Sequence, residues 1–232
     1  DRLRPLGWLR RPLTPAAYQR ITVAALVLLV LIVVTGAGVR LTGSGLGCTD
    51  WPNCTDTTFV APLELHPMVE FVNRLITGAV SVAVVLAVLG SRRRSPRRRD
   101  LTLLSWGLVA GVVAQILLGA VVVLSHLNPW LVQGHFVVSM LLVLDAVVLT
   151  HRAALPDVAV TRPSATPALL RWCSALLALA AAVLLTGTLV TGSGPHSGHN
   201  SDVDQIRRLP LTAHDAARIH GLTVMAFLAV LV

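Results

Sequence analysis

Charge is scarce in this sequence: 13% of its 232 residues are Asp, Glu, Lys or Arg, against 54% hydrophobic. A soluble domain of this length needs far more polar surface to cover its core. Lysine is missing altogether, and all 19 basic residues are arginine. The two "TGSG" stretches, at 42–45 and 191–194, are therefore not phosphate-binding loops: no Lys follows, and each joins a helix to a loop rather than a strand to a helix. Cysteine is confined to positions 48, 54 and 173. Zinc is a poor match for Cys48 and Cys54, because two sulfurs without nearby Cys or His leave a tetrahedral site incomplete. No small-residue cleavage site follows the basic N-terminus, so the first apolar run is expected to be a retained span and not a signal peptide.

The apolar residues lie in six blocks, 21–39, 67–90, 102–124, 130–149, 172–190 and 216–232. Each is close to the ~20 residues needed to cross about 30 Å of hydrocarbon as a helix. None shows the short alternating segments of a membrane β-barrel. The sequence thus predicts an all-α integral membrane protein. The last block runs to Val232 without a polar flank, so the sixth span is expected to be cut short. Five arginines precede the first span, six lie in "SRRRSPRRRD" (91–100), and Arg152, Arg162 and Arg171 lie in or beside the next connection on that side. Between two spans such a cluster reports the positive-inside rule better than nucleic-acid binding. The N-terminus, 91–101 and 151–171 are then cytoplasmic, and 40–66, 125–130 and 191–215 are external.

That orientation puts "LTGSGLGCTDWPNC" (41–54) on the oxidising side, where a disulfide persists. The turn formers in "TDWPN" can bring Cys48 and Cys54 within bonding reach. A structural disulfide is the main expectation, and a redox-exchanging one stays open because short exposed rings are labile. Cys173 has no evident partner and is expected to be a small packing residue.

A weak internal echo runs through the chain. "VTGAGVRLTGSGLG" (34–47) ends the first span and "LTGTLVTGSGPHSG" (185–198) ends the fifth. Each is followed by an outer loop and a span with polar first turns, "HPMVEFVNRLITG" (66–78) and "AHDAARIHGLTV" (213–224), which lays Asn73 against His220. A four-helix unit used twice contains eight spans, so two would lie beyond Val232. Glu70, His135 and His220 all fall within roughly 10 Å of the outer surface at 1.5 Å per residue. Ionisable groups at such depth are costly and usually functional. A lone intramembrane His is often only an interhelical hydrogen bond. An imidazole near the outer end of a span in each half favours haem, whose iron takes a neutral imidazole and whose macrocycle suits an apolar bundle. Arg40, Arg74 and Arg218 would then pair with propionates, or else snorkel to the interface. Gln115 is placed to hydrogen-bond across helices, and Asp145 to be solvated near the cytoplasmic end. His66, His126, His196, His199 and His214 are expected to be mostly solvated.

"RLTGSGLGCTDWPNC", "EFVNRLITG", "QILLGAVVVL", "QGHF" and "ARIHG", in this order and at these helical positions, resemble the haem A synthase family from about residue 20 to 232. The resemblance implies two pseudo-symmetric four-helix bundles. Residues 1–150 would form the first, with the substrate haem site and the cysteine loop 40–66, and 151–232 the start of the second, with a resident haem b. It implies oxidation of the C8 methyl of haem O to a formyl group, giving haem A for terminal oxidases. Glu70 matches the family's essential carboxylate. His135 and His220 match iron ligands of the first and second halves. Cys48 and Cys54 match the loop cysteines. Many members carry Glu-x-x-His-Arg in the second span; here Asn73 stands where the second axial His would be, between Glu70 and Arg74, and Asn is a weak haem ligand. The implied partners are haem O, haem O synthase and oxidase assembly factors, with membrane lipid, a second copy of the chain, and no nucleic acid. Two rival classes remain: a di-haem b-type membrane electron-transfer protein, and a non-enzymatic haem carrier for oxidase assembly.

Overall fold

Proline sets three of the helix starts. In a computed structural model that describes residues 12–157, 165–194, 198 and 208–232, six α-helices are seen. They are α1 (Pro15–Leu41), α2 (Leu65–Arg93), α3 (Arg99–Leu124), α4 (Pro129–Ala154), α5 (Pro167–Ser193) and α6 (Ala213–Leu231). Pro15, Pro129 and Pro167 each follow a capping residue, Thr14, Asn128 and Thr166, whose side-chain oxygen accepts a first-turn N–H. Proline loses nothing there, since that N–H has no helical partner in any case. Thr212 caps α6 in the same way, accepting from the Asp215 N–H at 3.1 Å.

Helices α1 to α5 are 26 to 29 residues long and apolar enough to cross a membrane. At 1.5 Å per residue they reach about 40 Å, more than the hydrocarbon thickness. The protein is a multi-pass membrane protein. Six blocks were expected to span; α6, at 19 residues, carries His214, Asp215, Arg218 and His220 in its first turns, so its apolar part is shorter.

α1 packs on α2 and α4, and α3 packs on the same two, closing a ring of four helices. α5 pairs with α6 and meets the ring at α4. The tightest packing lies at the arginine-rich end: Tyr18, Ala87, Leu101, Leu108, Leu149 and Ala153 are buried together there. The Tyr18 hydroxyl is hydrogen-bonded to Ser105 Oγ at 2.9 Å, which satisfies both buried groups. Two of the six loop arginines belong to this end's architecture. Arg94 is buried and donates to Asp157 at 2.7 Å, and Arg98 donates to Asp100 at 2.8 Å. Arg92, Arg93, Arg97 and Arg99 are exposed.

The opposite end is looser and polar. Gly45 N–H donates to Gly198 O at 2.7 Å, and Arg40 donates to Thr191 O at 2.9 Å, so the regions of the two "TGSG" turns meet at the seam between the ring and α5. Cys48 and Cys54 form a disulfide with Cα atoms 4.4 Å apart. Both are buried with Ala61 against Met68 and Phe71 of α2. Gly47 permits this seating, because a Cβ there would fall 2.3 Å from the His66 carbonyl oxygen.

Three expectations are corrected. Cys173 is exposed on α5 and packs in no core among the described residues, since the residues beside it also face outward. Asp145 is half-buried: α3 presents Gly107 there, so close that a Cβ would lie 2.7 Å from the carboxylate. His66 is half-buried, its Nδ1 hydrogen-bonded to Ser44 Oγ at 3.0 Å, and so helps hold the cysteine loop on α2. His196 and His199 lie outside the described residues.

Candidate functional site

Where the ring loosens towards the cysteine loop, it encloses a cavity of about 780 Å³ to which all six helices contribute. That volume is in the range of small-molecule and cofactor sites. Arg40, Glu70, Asn73, Arg74, His135 and His220 all line it. Residues spread over 180 positions of sequence, from Arg40 to His220, thus line one cavity.

Glu70 is the most constrained of them. It lies in the second turn of α2, buried, and its Oε2 accepts from the Cys48 backbone N–H at 2.8 Å. Its Oε1 takes Arg74 Nη2 at 2.6 Å and Nε at 3.2 Å, the side-on contact that four-residue spacing on a helix allows. Arg74 Nη1 donates in addition to the carbonyls of Asp50 and Asn53, at 3.1 and 3.0 Å. Glu70 and Arg74 therefore clasp the disulfide loop from beneath while presenting themselves to the cavity. Arg74 thus ties the loop to α2 and lines the cavity at the same time. Arg40 lines the cavity and reaches α5, whereas Arg218 is exposed and is not on the cavity wall among the described residues.

His135 enters from α4. Its ring rests beside Gly119 of α3, where a Cβ would be 3.6 Å from Cε1, and its Nδ1 is buried without a hydrogen-bond partner. Its carbonyl oxygen accepts from Gln115 Nε2 at 2.9 Å, the interhelical bond expected of that glutamine. A buried imidazole nitrogen with no protein partner is costly unless something else takes it up. His220 repeats the arrangement on α6: its Cε1 lies against Gly187 of α5, and its Nδ1 is hydrogen-bonded to Thr186 Oγ1 at 3.1 Å. Asn73 accepts from Thr35 Oγ1 at 2.8 Å. Thr35 and Thr186 were not singled out from the sequence; the Thr-Gly pair that recurs in both echo segments was the signal for them.

These features can be tested against an iron porphyrin. No group of three or more His, Cys, Asp or Glu able to hold a bare metal ion occurs among the described residues. Haem asks less, because the macrocycle supplies the equatorial nitrogens and the protein only axial ligands. An unpartnered imidazole on the wall of a largely apolar cavity, with arginines at its edge, fits that group.

Comparison with known proteins bears on the same segment. A family model described as cytochrome oxidase assembly protein matches residues 19–66 and 63–200. The heme A synthase of Lysinibacillus sphaericus is 35% identical over 122 residues, which is 51% of this chain and 39% of that protein. That of Geobacillus kaustophilus is 33% identical over 107 residues, 45% of this chain and 33% of its own. That of Bacillus licheniformis is 27% identical over 135 residues, 58% and 44% of the two chains. The chain spans less than half the length of these curated relatives. No solved structure matches it significantly.

Proposed function

The chain belongs to the cytochrome oxidase assembly protein family and is a homologue of the bacterial haem A synthases, and on that premise we propose that it is a membrane oxidoreductase converting haem O to haem A. The observation that carries this is the shared cavity: Glu70, His135 and Arg40 face one space wide enough for a cofactor-sized ligand.

Haem O is the substrate of the first half, and a resident haem b belongs to the second. Bound there, an iron porphyrin would supply redox chemistry for the four-electron oxidation of a methyl carbon to a formyl group, with an external oxidant taking up the electrons. The chain's own residues bind, orient and hold charge. His135 offers a neutral imidazole nitrogen to the iron of the first site, and His220 to that of the second. Glu70 holds a negative charge at the cavity wall, kept in place by Arg74 and the Cys48 N–H. It stabilises positive charge, and takes up protons, as the methyl group is oxidised. Arg40 is the cation placed for a propionate. Asn73, a carboxamide where relatives of this pattern carry an imidazole, would leave His135 as the imidazole that holds the group in the first half.

The orientation follows the arginines: the N-terminus and 91–101 face the cytoplasm, and the disulfide loop faces outward across the cell membrane. Haem O synthase is the natural supplier of substrate, and oxidase assembly factors the natural recipients of product. The experiment is pigment extraction from cells that express the protein alongside a source of haem O. Haem A in the extract is expected. Unchanged haem O with stable bound haem b would replace this reading by an electron-transfer protein, and haem exchange without product by a carrier.

A further inference from the structure

In each half a threonine reaches from one helix to the polar side chain that its partner helix turns to the cavity. Thr35 Oγ1 lies 2.8 Å from Asn73 Oδ1, and Thr186 Oγ1 lies 3.1 Å from His220 Nδ1. Each threonine precedes a glycine, and each pair comes shortly before a "TGSG" turn, seven residues ahead of it in one half and five in the other. The correspondence is thus one of hydrogen-bond partners and not of strict sequence register. The glycines extend it. A Cβ on Gly187 would lie 3.4 Å from His220 Cε1, whereas one on Gly36 would meet nothing within 4 Å. An imidazole covers Gly187; Gly36 faces open space.

We propose that Thr186 and Thr35 are equivalent positioning residues, each orienting the polar side chain that its partner helix turns to a haem site, an imidazole at 220 and a carboxamide at 73. This rests on the haem reading above. The Thr186 hydroxyl has a single proton, with the Ala182 carbonyl and Thr223 Oγ1 both at 2.8 Å, nearer than the imidazole. The hydroxyl therefore accepts from Nδ1–H of His220, and the tautomer this selects leaves the Nε2 lone pair free for iron. The first half keeps the threonine and a glycine that faces open space, with a carboxamide in place of the imidazole.

The test compares haem content and absorption and electron paramagnetic resonance spectra of the protein purified from membranes with its haem. Thr186→Val is expected to weaken haem retention by roughly 10- to 100-fold, the usual effect of losing an outer hydrogen bond to a ligating His, and Thr186→Ser to restore it. Asn73→His is expected to add a low-spin bis-imidazole signal that the Asn73→His/Thr35→Val protein lacks. This second arm does not depend on Thr186→Val accumulating in the membrane. His220→Ala separates the two levels: full haem retention in it overturns the haem reading and the threonine role together. Haem loss in His220→Ala with unchanged retention and spectra in Thr186→Val, or a folded Asn73→His protein with no new signal, overturns the threonine role alone.

Discussion

The carboxylate of Glu70 accepts a hydrogen bond from the backbone N–H of Cys48, 22 residues earlier, at 2.8 Å. One oxygen of the side chain thus anchors the disulfide loop while the other holds Arg74. A group proposed for chemistry is also the tie between the loop and the cavity wall.

That double duty separates two substitutions of Glu70. Glu70→Gln keeps an acceptor for the Cys48 N–H, so the protein should accumulate with its haem and yet make no haem A. Glu70→Ala also takes the acceptor from Arg74 Nη2 and Nε, leaving that guanidinium only the Asp50 and Asn53 carbonyls, a loss of about 1–3 kcal/mol. It should lower thermal stability as well as abolish product. Thermal unfolding in detergent, read beside pigment extraction, checks both. Normal haem A from Glu70→Gln would remove the carboxylate from the chemistry.

Opening the disulfide should loosen this same corner. In a Cys48→Ser/Cys54→Ser protein, or after reduction, the six-residue separation is no longer closed. The loop-entropy account puts the loss at about 2 kcal/mol. Because the dense core lies at the other end of the ring, the effect should be local. Hydrogen exchange at the Cys48 amide is expected to speed up markedly, while the buried turns near Leu108 and Leu149 keep their protection. Uniform acceleration across all helices would contradict this.

Gly47 and Gly38 give opposite expectations for one substitution. Gly47→Ala drives a Cβ to 2.3 Å from the His66 carbonyl, and neither backbone can yield without lifting the loop off α2. We expect a loss of about 1–3 kcal/mol, the usual range for overpacked sites, towards its upper end because the clash is with backbone. Gly38→Ala meets nothing within 4 Å inside α1 and should raise stability by about 0.5–1 kcal/mol, the helix-interior difference between Gly and Ala. Midpoints of thermal unfolding measure both.

The arginine cluster divides likewise. Arg94→Gln removes a buried guanidinium from Asp157 and from the Pro96 carbonyl, and a drop of about 3 kcal/mol or more is expected. Arg97→Gln changes an exposed side chain and should stay within about 0.5 kcal/mol. Equal effects from the two would mean that the cluster acts only through its charge on membrane orientation.

Much of this molecule could be read along the chain, and the reason is its solvent. A lipid-facing helix must be apolar over its whole length, so the spans stand out as uninterrupted runs without any knowledge of their neighbours. The cost of polar groups at that depth likewise made Glu70, His135 and His220 conspicuous, and all three line the cavity. Proximity in sequence was enough for Cys48 and Cys54. What the chain could not disclose was which partners those groups take. Arg74 stood out as a cation at the right depth, but only the fold showed that it also holds the loop carbonyls of Asp50 and Asn53. Arg94 and Arg97 are indistinguishable in a run of arginines, yet one is buried and the other exposed. Cys173 and Asp145 went astray for the same reason: hydropathy reports depth in the bilayer, not direction around a helix. Composition and spacing therefore established a membrane protein with costly polar groups near one surface. Folding alone decided their partners, because hydrogen bonds a few ångströms long are made between helices that the linear order leaves far apart.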